Sequence, residues 1–135
     1  TMNRTHLEGA AEALAAQQGY AFHTGPEDGM AHTVRSYPAA WLAPLELHAV
    51  EGRGHGRATY DMTLHLLSSG ARLSPTERRA ALARMEEQLL EIFAALSLDE
   101  RVLAVEGLSV RPRAFALTPH GEISQTAAAR IVTFF

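Results

Sequence analysis

Between residues 56 and 67 the chain reads GRATYDMTLHLL, and its apolar and polar positions alternate almost without interruption. Tyr60, Met62, Leu64 and Leu66 fall on one side of an extended chain, and Thr59, Asp61, Thr63 and His65 on the other. A period of two belongs to a strand with one face on a core, so the pattern predicts a strand over 57–67. The opposite face is polar but uncrowded, and its function depends on what it meets.

After Ser74 the period lengthens to that of a helix. Leu82, Met85, Leu89, Ile92 and Leu96 form one stripe, widened by Leu90 and Phe93, which predicts about twenty residues lying on a sheet face. Ser74 as N-cap, Pro75 at the first helical position and Glu77 completing a capping box set its start. Near the N-terminus, Thr5 and Glu8 have the same box spacing, and Leu7, Ala11, Leu14 and Gln18 predict a helix over 6–18, stopped at Gly19.

The remaining segments read as strands and turns. YAFHT is a short strand ended by the turn GPEDG. SYPAAWLAPLELHAV reads as one extended segment at a sheet edge, because Leu45, Leu47 and Ala49 alternate with Glu46 and His48 while Pro38 and Pro44 exclude a helix. EGRGHGR, with glycines at alternate positions, suits a long mobile hairpin loop. RVLAVEGLSVRPRAFAL and ISQTAAARIVTFF are two strands joined at TPHGE; Ile123, Ala127, Ala129, Ile131 and Phe135 face inward, and the last residues are expected to be held by neighbouring strands. This order predicts one α+β domain over 1–135, a mostly antiparallel sheet of about five strands with two helices packed on one face.

Composition narrows the classes. The chain has 135 residues, 47% hydrophobic and 20% charged, which suits one domain with its own core. Every apolar run is broken by charge well short of a membrane span, and no export signal is expected from the N-terminal residues. Cysteine is absent, which removes disulfides, thiolate metal sites and cysteine nucleophiles. A net charge of −3 argues against a surface that binds nucleic acid all over, while leaving room for a basic patch.

Candidate chemistry is sparse. The seven histidines show neither HExxH nor HxH spacing, and no GxSxG or SxxK is present, so neither a metal site nor a serine nucleophile is expected. Glu86, Glu87 and Glu91 beside Arg78, Arg79 and Arg84 have the make-up of a solvated helix face. GRGHGR has the glycines of a phosphate loop but feeds a strand where such a loop opens a helix; it leaves an arm carrying Arg53, His55 and Arg57. Arg111 and Arg113 flank Pro112 at a strand end, and Trp41, between two prolines, suits a core or a subunit interface equally. No cofactor is expected. Two further classes stay open: a small enzyme using His48, Asp61 or His65, and a nucleic-acid module using Arg53, Arg57, Arg111 and Arg113.

The whole arrangement resembles the tail terminator (tail completion, or minor tail) proteins of long-tailed bacteriophages. SYPAAWL stands at the place of their proline-led strand, RATYDMTLHLL at their long middle strand, a single helix begins at Ser74, and a terminal hairpin closes on AAARIVTFF. The resemblance implies a non-enzymatic virion subunit, from a phage or prophage, that forms a ring, typically a hexamer, on the last ring of the tail tube. Such a ring ends tail polymerisation, offers a surface to a head-completion protein and lets DNA pass through. It also implies location in the virion tail, with assembly in the host cytoplasm and no membrane partner. Trp41, Arg53, His55, Arg57, Asp61, His65, Arg111 and Arg113 are the candidate interface or channel residues, with the face of Thr59, Asp61, Thr63 and His65 turned to a neighbour or the channel.

Overall fold

A computed structural model describes residues 2–113 and 116–134. The chain forms α1 (Asn3–Gln17), β1 (Ala21–Thr24), a 3-10 turn (Glu27–Gly29) leading into the short α2 (Met30–Thr33), β2 (Ala39–Leu42), β3 (Glu46–Arg53), β4 (His55–Ser68), α3 (Pro75–Ser97), β5 (Val102–Pro112) and β6 (Ile123–Phe134). The fold is α+β, with a six-stranded, mostly antiparallel sheet in the order β1-β2-β4-β6-β5 and β3 beside β2 on the same flank of β4.

The long strand sets the frame. β4 pairs with β6 from Arg57↔Phe134 to Ser68↔Ile123, while its other side takes β3 near the hairpin and β2 near its far end. The expected single extended segment is therefore two strands. Pro44, which has no N–H to offer a ladder, lies between them. β1 joins β2 in parallel. GPEDG, expected as a simple turn, opens the 3-10 turn and α2, whose crossover makes that parallel pairing possible.

Met62, Leu64 and Leu66 enter the main core, and Tyr60 packs against its rim, as their alternation predicts. Ile123, Ala127, Ala129 and Ile131 join them from β6; Phe135 lies outside the described residues. Ala81, Met85, Leu89, Ile92, Phe93 and Leu96 of α3 close this face together with Leu7, Ala11 and Ala15 of α1. Each large side chain so buried contributes about 1.5–3 kcal/mol. Leu90 is the exception within the predicted stripe, 46% exposed, because the stripe turns toward Ala81 and Phe93.

The two helix starts differ. The Ser74 hydroxyl accepts from Glu77 N–H at 3.1 Å while the Glu77 carboxylate accepts from Ser74 N–H at 3.0 Å, the reciprocal box the sequence predicts. α1 starts at Asn3, so Thr5 is inside the helix and caps nothing. Tertiary bonds fix that end: the Asn3 amide donates to Thr133 Oγ1 at 3.1 Å and to the Phe134 carbonyl.

His6 Nε2 lies 2.8 Å from Asp99 Oδ1, tying α1 to the turn after α3. Burial pushes the Asp99 carboxyl up, but the Arg101 N–H, the His6 hydrogen bond and both cationic neighbours outweigh it and hold the group below its ordinary value. A carboxyl held down in the folded state adds stability above its unfolded value and loses it as pH falls through the folded one. Asp99→Asn is therefore expected to cost about 1 kcal/mol near neutrality, with the deficit closing below about pH 4. Urea unfolding at both pH values measures this, and an equal deficit at both would reject the assignment.

Candidate functional site

Away from α1 and α3, the sheet's second face carries the odd-numbered residues of β4, and it divides into a covered and an open half. At the β2 end, Met30 of α2 and Val34 just after it close over Ala39, Trp41 and Leu67, making a small second core. His65 is enclosed beneath the same segment with no exposed surface. Thr59, Asp61 and Thr63 remain partly exposed. The polar face expected to meet a neighbour or channel is thus interrupted at His65.

On the open half, register builds a row across four strands: Glu46 opposite Asp61, Asp61 opposite Arg130, Arg130 opposite Glu106. Arg130 Nε stands 3.7 Å from Asp61 Oδ1, and His48 Nδ1 stands 3.5 Å from Asp61 Oδ2. These groups are about half exposed, so water screens them and each pair contributes little to stability. Beside them a hollow of about 450 Å3 is lined by Thr63, Glu106, Ser109, Ala128 and Arg130. A second hollow of similar size, bearing Arg111, Arg113 and Thr126, continues toward the far end of β5. The result is a shallow trough, acidic at its middle and basic at one end. Its open, polar lining suits surface recognition by charge and hydroxyl groups better than enclosure of a small apolar ligand.

Trp41 and His65, two of the candidate interface residues, are buried within the subunit. Trp41 is 2% exposed; its indole N–H donates to the Gly25 carbonyl at 2.9 Å and its ring stacks on His23 at 6.0 Å. His65 Nδ1 lies 2.7 Å from Thr126 Oγ1, and its Nε2 faces Glu27 Oε1 at 3.4 Å. Burial is the main cause holding this imidazole below the ordinary histidine range; Glu27 opposes that, and Arg113 adds to it.

The other candidates sit at opposite ends of the sheet. Arg53 and His55 flank Gly54 at the tip of the β3–β4 hairpin, with Arg57 just below. The expected mobile loop is a tight turn: the strands run to Arg53 and His55, and Gly54 adopts a positive φ of 71°. Gly52 lets the two strands approach, since a Cβ there would stand 2.8 Å from Gly56 Cα. Arg111, opposite Thr126, and Arg113, whose guanidinium is 3.9 Å from Glu27, occupy the other end. The rows of Arg57 and His65 are eight residues apart on β4, roughly 26 Å. Arg53 and Arg57 therefore do not share a patch with Arg111 and Arg113. His48 and Asp61 do meet, but His65 lies four residues beyond Asp61, roughly 13 Å away, so those three do not converge. Among the described residues no group of three His, Asp or Glu side chains is placed to hold a metal, and no helix is long and apolar enough to cross a membrane.

Glu106, Ser109 and Arg130 emerge as site residues only from the strand register, and Glu27 only from its approach to His65 and Arg113 across the fold. The alternation of Thr126, Ala128 and Arg130 with the apolar Ala127, Ala129 and Ile131 is the one signal in the sequence that points to any of them, namely Arg130.

These features define a class: a helix-backed α+β sheet with one polar face half open and, among the described residues, strand edges unpaired on both flanks. No protein-family model and no curated protein matches the chain.

Proposed function

We propose that this protein is a structural subunit of a phage or prophage tail that closes into a ring, typically of six copies, on the end of the tail tube and there presents a head-joining surface. The observation that carries this reading is the pair of open edges on opposite flanks of one sheet. Among the described residues, β3 pairs only with β4, and β5 only with β6. Apolar side chains are exposed near both edges, Leu47 and Val50 on β3 and Leu103 on β5 with Phe134 close by, each between 41% and 54% accessible. Two different patches on opposite flanks fit a head-to-tail contact, which closes into a ring when its rotation permits. Unpaired N–H and C=O groups on each edge supply the backbone pairing. The β5 bulge at Gly107, with φ 63°, breaks one edge into short stretches and limits indiscriminate pairing.

Light scattering on size-fractionated protein tests the proposal, alone and with the cognate tail-tube protein. A closed oligomer of fixed size is the expected result, and a monomer under both conditions would overturn it. Replacing Leu47 and Val50 together by Asp is expected to raise the concentration needed for assembly at least about tenfold, since each 1.4 kcal/mol lost at an interface is tenfold in affinity. The monomer should stay folded, because both side chains already face water.

A further inference from the structure

We infer that the segment from Gly25 to Val34 is a hinged cap, closed over a neutral His65 and released when that imidazole takes up a proton. The cap is fastened by few groups. Met30 and Val34 belong to a five-residue core separate from the main one; Gly25 N–H donates to the Leu42 carbonyl at 3.2 Å, and the Trp41 indole donates to Gly25. A unit held by so little apolar contact can open while the rest of the sheet remains paired.

His65 sits at the closure. The Thr126 hydroxyl of β6 occupies its Nδ1, whereas its Nε2 is buried without a hydrogen-bond partner. The charged and titratable groups around it come from every packed element. Glu27 of the 3-10 turn faces Nε2; Arg113, after β5, stands against the other Glu27 oxygen; Arg111 of β5 lies opposite Thr126; His23 of β1 stacks on Trp41, the β2 neighbour of His65. Among the described residues, one carboxylate, itself shared with Arg113 and 46% exposed, is thus the only anion facing the ring.

A second proton on the ring would place a cation where water is excluded, a cost that opening the cap removes. Burial already holds this imidazole below the ordinary histidine range. A base depressed in the closed form binds its proton more readily in the open one. Closure is therefore strongest above the ordinary histidine value and weakens as pH falls below it. Opening uncovers Trp41 and Leu67 and extends the trough toward β2, so acidity controls how much of the sheet face is available for recognition.

Trp41 is the only tryptophan and lies under the cap, which gives a direct readout. Between about pH 8 and about pH 5, the window in which histidine changes charge, its emission should shift to the red and its quenching by acrylamide at least double, with far-ultraviolet circular dichroism unchanged. His65→Gln, whose amide still reaches Thr126 but does not titrate, should lose this response. His23→Gln should keep it, which separates opening from direct quenching of the indole by a protonated His23. Constant quenching across the window, persistence of the response in His65→Gln, or its loss in His23→Gln would each overturn the proposal. If His65→Gln does not fold, hydrogen exchange on the unaltered chain decides. After correction for intrinsic rates, the amides of 27–34 should exchange several-fold faster at the acid end, with β4 and β6 unchanged, and equal protection at both ends rejects the cap.

Discussion

Phe93→Ala is expected to lower the free energy of unfolding by about 3–5 kcal/mol. Phe93 is 1% exposed, on the stripe of α3 that shares the main core with Met62, Leu64, Leu66 and Ile131. Removing the ring forfeits its transfer from water and leaves a cavity that a sheet paired on both sides of β4 cannot collapse to fill. Leu90, three residues earlier and 46% exposed, provides the contrast. Leu90→Ala should stay within about 0.5 kcal/mol of the parent. Urea unfolding with an unchanged slope measures both, and equal losses at the two positions would mean that α3 does not sit on the sheet as described.

A comparable loss should follow from Glu122→Ala. This carboxylate is 2% exposed and accepts three hydrogen bonds, from Leu117 N–H at 2.6 Å, Thr118 N–H at 2.9 Å and the Thr118 hydroxyl at 2.6 Å. Alanine would leave two backbone donors without a partner, at about 1–3 kcal/mol each. Glu122→Gln should recover most of the stability, because its amide oxygen can still take both N–H groups and the Thr118 hydroxyl can turn to Tyr37 Oη, 3.0 Å away. Thermal unfolding of the pair distinguishes this clamp from a merely solvated acid, for which both changes would be neutral. The turn matters to the site as well: Leu117 packs against the core under α2, so loosening it should also weaken the cap.

The proposed ring and cap draw on different parts of one face. The ring reading depends on β3 and β5 at the two flanks, and the cap on Glu27, Trp41 and His65 near β2. Loss of assembly in the doubly substituted hairpin should therefore leave the acid response of Trp41 intact. Retention of both properties in separate variants would show that they are independent.

Local rules made much of the architecture legible. The alternation from Tyr60 to Leu66 placed the inner face of β4, and the Ser74, Pro75 and Glu77 cluster placed the start of α3, because each depends on contacts within a few residues. The same rules misread Thr5, where long-range bonds from Asn3 to β6 override a local cap, and GRGHGR, where the glycines serve strand approach rather than a loose loop.

By itself the sequence determined that β4 has one apolar and one polar face, that α3 covers a sheet, and that the class is α+β. Periodicity carries that information within a single element. Only the tertiary structure decided which polar residues are open and which are closed off. Asp61 and His65 are equivalent in the strand pattern, yet one joins Arg130 and His48 in the trough and the other is sealed beside Trp41 and beneath Glu27. The difference arises from a short crossover segment remote in sequence, whose position no period within β4 encodes.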